Sequence, residues 1–174
     1  MMLNTYNGRT HRLDEIVAAA GRCGLPSHRR LSLPSGTTLL ACARSWPPDK
    51  VDTVFLGEWS LLDLLAHISG WDDANRAAIA AVQAGRLPEF YAHKDPDWRT
   101  YNAGHVRRYR RPTLADQLAL GETTFGQLMG SLDQLDAEDL FRDYGVRYKG
   151  WKVIIARLVK SDIKDVGIHL EQMR

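Results

Sequence analysis

An all-α fold, arranged as an antiparallel four-helix bundle, is what this sequence predicts, and three observations predict it. Apolar residues recur three and four positions apart along most of the chain, strict alternation over four or more residues is almost absent, and four main helical stretches are joined by short and long connections. The chain has 174 residues, 44% of them hydrophobic and 25% charged, enough to bury one substantial core. No internal repeat or low-complexity tract interrupts it.

Residues 1–34 read as an N-terminal arm. A short helix over 13–23 is broken off by Gly21, Gly24, Pro26 and Pro34, and His28, Arg29 and Arg30 add charge. Residues 35–174 read as the bundle domain. Its first helix spans 36–45 and is stopped by Pro47 and Pro48, which cannot continue a helix interior, and a linker over 49–58 follows. The first long helix covers 59–84, with Ser60 as N-cap and Asp63 completing a capping box in place of the usual Glu. Gly85 and Pro88 end it, a loop containing Pro96 runs to 98, and a short basic helix covers 100–111. Pro112 and Thr113 restart the chain as a helix to 135, residues 136–141 add one turn, and after Gly145 the last helix is expected over 149–173.

Composition excludes several classes. With 23 Lys+Arg against 21 Asp+Glu, the formal charge of +2 lacks the lopsidedness of a dedicated nucleic-acid binder. No stretch approaches the roughly 18–20 uninterrupted apolar residues of a membrane span, and residues 1–8 lack the layout of a signal peptide. The expectation is a cytoplasmic protein without a membrane partner. Cys23 and Cys42 are too few and too far apart for a disulfide scaffold or a four-cysteine zinc site, and read as reduced thiols.

Placed on a helical wheel, the last helix shows a stripe of Trp151, Ile155, Leu158, Val159, Val166 and Met173, opposed by Arg157, Lys160, Lys164 and Glu171. Asp162, Asp165 and His169 fall within the stripe or on its edge. A charge facing a core costs several kcal/mol unless it is paired or binds a cation. The first long helix has a matching feature: Leu64, Ile68, Trp71, Ala78, Ile79 and Val82 form its apolar face, with Asn75 in the middle and His67 at the edge. Bundles build metal sites by projecting carboxylates and imidazoles inward, and Asp165 and His169 at i,i+4 are spaced to share one ion. His67, Asp165 and His169 would leave positions open for water or substrate, and two imidazoles with one carboxylate suit Zn, Fe, Ni or Mn in the divalent state. The alternative is a satisfied polar network, His67 bonded to Asp63 and Asp165 to His169.

The run Leu56-Gly-Glu-Trp-Ser-Leu-Leu-Asp-Leu-Leu-Ala-His-Ile-Ser-Gly-Trp-Asp72 resembles the signature of DinB-like proteins of the ClbS/DfsB branch, and Asp165-Val-Gly-Ile-His-Leu-Glu-Gln172 is similar to that superfamily's last-helix motif. With Asn102 and residues 133–141, the resemblance covers about 35–174. It implies a DinB-like four-helix bundle, often a homodimer, holding a divalent metal through one ligand of the second helix and two of the fourth, here His67, Asp165 and His169. Many members have His where Asp165 stands. Related bundles use the metal to activate thiol cofactors, and ClbS-type proteins hydrolyse a reactive cyclopropane. The function expected on this basis is a metal-dependent hydrolase or thiol S-transferase, using a low-molecular-weight thiol in the second case, that attacks a small electrophilic substrate. Asp162, on the ligands' face, is the candidate general base or ligand-orienting group. The competing reading is a non-catalytic, ligand-binding or stress-response bundle with a structural polar cluster.

Other features weigh less. The basic run 105–111 reads as a solvated helix end whose arginines meet the negative pole of the helix, rather than as a nucleic-acid contact. His105 is expected at the surface, and Asn102 and Tyr101 either point to the pocket mouth or steady their helix. Trp46, Trp59, Trp71, Trp98 and Trp151 either line a cavity or anchor the core, the latter being expected for Trp59 and Trp71. Ser60 sits at a helix start, with no strand-turn-helix elbow to make it a nucleophile.

Overall fold

A computed structural model describes residues 2–4, 10–12, 36–94 and 97–173. Among them are six α-helices, α1 (Gly36–Arg44), α2 (Leu61–Gln83), α3 (Arg99–Tyr109), α4 (Leu114–Leu132), α5 (Ala137–Phe141) and α6 (Ile155–Gln172). Strand is confined to two antiparallel ladders: β1 (Met2–Asn4) with β2 (Thr10–Arg12), and β3 (Arg147–Tyr148) with β4 (Trp151–Lys152). The helix expected over 13–23, and Cys23 with it, lies outside the described residues; Cys42 is a free, exposed thiol. Among the described residues, no helix is long and apolar enough to cross a membrane.

Local chemistry places the main helices. Ser60 caps α2: its hydroxyl accepts from the Asp63 backbone N–H, and the Asp63 carboxylate accepts from the Ser60 N–H at 2.9 Å, so the Asp-for-Glu capping box forms. Thr113 caps α4 in the same way by accepting from the Asp116 N–H. Asp136 and Asp139 make a second capping box for α5.

The last helix starts later than expected. Lys149 and Gly150, with φ of 47° and 83°, turn the chain between β3 and β4, and α6 begins only at Ile155. Two successive residues with positive φ match the twist of a tight hairpin and hold this stretch out of the helix. Trp151 therefore does not continue the apolar stripe; it is 72% exposed at the hairpin. Within α6 proper, Ile155, Leu158 and Val166 are buried while Arg157, Lys160 and Lys164 are exposed, as the wheel required.

Helix α2 lies at the centre, touching α3, α4 and α6, and α1 touches α4 and α6, so contacts close the cycle α1–α4–α2–α6. Two apolar clusters fill the interior. The start of α2 (Leu61, Leu64, Leu65, Ile68) packs with Leu39, Leu40 and the end of α6 (Val166, Leu170). The end of α2 (Ala78, Ile79, Val82) packs with Phe90, Leu128 and the start of α6 (Ile155, Leu158). These two helices thus run in opposite directions, and their polar middle turns meet at the junction of the clusters.

Candidate metal centre

That junction is where the candidate site lies. His67 enters from the middle of α2 and is 3% exposed, so it is buried rather than at the edge of its face. Asp165 and His169 enter from α6. Asp165 Oδ2 stands 3.5 Å from His67 Nε2 and 3.5 Å from His169 Nε2. One ligand atom from each of the three lies within 4.8 Å of the others. The expected pairing of Asp165 with His169 is present, but the partner that Asp63 was to provide for His67 is not: Asp63 binds the Ser60 cap and the Arg110 guanidinium, at 2.8 Å from Nε.

The donor set, two imidazoles and one carboxylate, is of a kind that suits a divalent cation. The His67 Nδ1 atom, the ring nitrogen that does not face Asp165, is buried with no hydrogen-bond partner. His169 Nδ1 lies 2.8 Å from Gln172 Oε1, a contact that orients the ring with Nε2 toward Asp165. Burial pushes the His67 pKa down, which keeps the imidazole neutral and able to ligate. At Asp165, burial acts upward, but the hydrogen bonds from His169 and His67 outweigh it and hold the carboxyl below its usual range.

The three groups open into a cleft of about 470 Å³ also lined by Trp59, Trp71, Trp98, Asn75, Asn102 and Asp162. Asn75 donates from Nδ2 to Asp162 Oδ1 at 2.8 Å, joining the polar interruption of α2 to that of α6. Burial, with the nearby Asp165 charge, raises Asp162 to about 6 despite that bond. The Trp71 indole N–H donates to Asn102 Oδ1 at 3.1 Å, so Asn102 faces the cleft and steadies one of its walls. Tyr101 is absent from the lining of this cleft and stacks behind Trp71, ring centroids 5.4 Å apart.

Several expectations change here. Trp59 and Trp71, half-buried, pack against the two apolar clusters as expected and also wall the cleft; Trp59 lies 4.7 Å from the His67 ring between centroids. Trp46 packs on Phe55 away from the cleft. His105 is not a surface residue: it is wedged against Gly70 and Trp71, and burial, with the neighbouring His67 and Arg108, lowers its pKa to about 4. It faces a second cleft of about 740 Å³ between α2 and α3, which contains none of the three candidate ligands. Of the arginines after it, Arg110 pairs with Asp52 and Asp63, and Arg111 bonds to Gln117 through its backbone N–H and to two carbonyls of its own turn through its guanidinium.

Phe90 and Tyr91 also line the cleft, from a 3₁₀ turn, and the sequence reading did not single them out. Their signal was the pair of adjacent aromatics in a proline-flanked connection, where apolar rings need a surface to cover. No protein-family model, curated protein or solved structure matches the chain.

Proposed function

We propose that the chain is a divalent-metal-dependent enzyme of the DinB/ClbS type, built on an antiparallel four-helix bundle of α1, α2, α4 and α6. In this reading it carries out hydrolysis or thiol transfer on a small electrophilic substrate. The observation that carries the reading is the convergence of His67, Asp165 and His169 beside an aromatic cleft. The closed cycle of contacts among the four helices supports the bundle.

Zn, Fe, Ni or Mn in the divalent state, held by His67, Asp165 and His169, would supply Lewis acidity that lowers the pKa of a water or a thiol toward neutrality. The chain's own residues do the rest. His67, kept neutral by burial, and His169, oriented by Gln172, would turn their Nε2 atoms to the ion, and Asp165 would supply the charge. Trp59 covers His67 and limits access of bulk water to it. Asp162, fixed by Asn75 and raised to about 6, is placed to accept a proton.

A second reading has its own observation: Asp165 already stands between two imidazoles, an arrangement that a purely structural, non-catalytic bundle would also use. Elemental analysis of protein purified without a histidine tag separates the two. Near-stoichiometric metal in the wild type, lost in His67→Ala and His169→Ala, is expected. Unchanged metal content in His169→Ala, or none bound after addition of each of the four ions, sinks the enzyme reading.

A further inference from the structure

The cleft beside the candidate ligands has one-sided chemistry. Five aromatic rings line it, from Trp59, Trp71, Phe90, Tyr91 and Trp98; its acidic lining residues are Asp162, Asp165 and Asp97, the last paired with Arg99; and no lysine or arginine is among its lining residues. Four of the rings form a continuous wall: Trp71 lies 5.5 Å from Trp98 and 5.6 Å from Phe90, and Phe90 lies 4.7 Å from Tyr91, between centroids, while Trp59 stands on the other side of His67. Asp162 is the carboxylate that this arrangement leaves without a counterion. One oxygen accepts from a neutral amide, Asn75, and Asp162 forms no ion pair among the described residues. A carboxylate drawn into a partly apolar wall without a cation is costly unless something cationic reaches it from the open side. Aromatic faces are negative at their centres and favour the same kind of guest.

The geometry points to a small organic cation, an amine carried on an aromatic or apolar body, as the ligand class of this cleft, its ammonium held by Asp162 and its body by the five rings. The assignment rests on reading the cleft as the substrate site, and it narrows the substrate of that site to electrophiles that carry a protonated amine. Asp162 lies one helical turn before Asp165, so the charged end of the ligand sits next to the reacting position. With an ammonium held there, Asp162 serves as its counterion and no longer as a proton acceptor. A divalent ion would be neutralised in part by Asp165, its own ligand, which leaves the Asp162 charge for the guest. A volume of about 470 Å³ is in the range of small-molecule sites and matches a one- or two-ring guest.

Three probes of similar shape isolate the charge: 2-phenylethylamine, 2-phenylethanol and 3-phenylpropionate, titrated against the full chain at pH 7.5 by isothermal calorimetry, with and without Zn(II). The amine is expected to bind at least ~10-fold more tightly than the alcohol, and the propionate more weakly than either. Asp162→Asn should bring the amine down to the affinity of the alcohol while leaving the alcohol within about threefold of its wild-type value. Equal binding of amine and alcohol by the wild type, tighter binding of the propionate, or saturable binding of none of the three overturns the inference. So does an Asp162→Asn variant that keeps the amine preference. The wild-type series decides charge selection even if the variant fails to fold. The metal reading fails on a different result, unchanged metal content in His169→Ala, so the two failures are told apart.

Discussion

Asp72 shows what a single buried carboxyl does to this protein. It is almost fully buried on α2, and burial, with the charge of Asp162 acting the same way, raises it to about 8 against the opposing hydrogen bond from the Thr124 hydroxyl. In the unfolded chain an aspartate releases its proton near pH 4. Between about pH 4 and about pH 8 the folded state therefore holds a proton that the unfolded state has lost, and stability falls as pH rises through that window and levels off above it. Asp72→Asn keeps the shape and removes the charge. It should flatten the slope relative to wild type and raise stability at pH 8 by about 1–3 kcal/mol. Urea midpoints of both proteins at pH 5 and pH 8 check this; the same pH dependence in both would contradict it.

At the scale of elements, α2 is held at two further points. Its N-terminus depends on Ser60, which is buried and bonded to Asp63, and Asp63 in turn reaches Arg110 just past the end of α3. Ser60→Ala should cost about 1 kcal/mol, the usual worth of an N-cap, while leaving metal content as it was. Thermal melts beside elemental analysis read both quantities. Farther along, α3 approaches α2 closely because residue 70 is glycine: a Cβ there would stand 2.5 Å from the His105 ring. Gly70→Ala should destabilise by about 1–3 kcal/mol through overpacking. Gly70→Ala in a His105→Ala background should lose most of that penalty, and a double variant no better than the single one would refute the contact as its source.

For the molecule as a whole, the candidate centre is a tie between α2 and α6, whose apolar ends already pack into two separate clusters. An ion bound only by the folded state stabilises it by mass action, about 2.7 kcal/mol at one hundred times the dissociation constant. Addition of Zn(II) to chelator-treated protein is expected to raise Tm by several degrees in the wild type and not in His67→Ala or His169→Ala. Equal shifts in all three would place the ion elsewhere. Much of this architecture was legible from one dimension. The capping box at Ser60, the breaks at Pro47, Pro48, Gly85 and Pro112, and the three and four spacing of Ile155, Leu158 and Val166 are local signals, and the helices fall where those signals put them. The candidate ligands were legible for the same reason: Asp165 and His169 lie one turn apart on an otherwise apolar face, where a charge calls for a partner.

What the sequence by itself determined is the helical content, most of the helix ends, and the inward placement of His67, Asn75 and His169, because these follow from backbone caps and from a 3.6-residue period. It missed the β3–β4 hairpin, since residues 147–152 also suit a helix start on a wheel, and the positive φ of Lys149 and Gly150 is decided by how β3 and β4 pair. It placed His105 at the surface, since only the gap left by Gly70 lets α3 press that ring inward. The tertiary structure alone decided that Asn75 meets Asp162 across 87 positions of chain, and that Phe90, Tyr91 and Trp98 close over the same cleft. Such meetings depend on which ends of α2 and α6 share an apolar cluster, a pairing that no periodicity within one helix encodes.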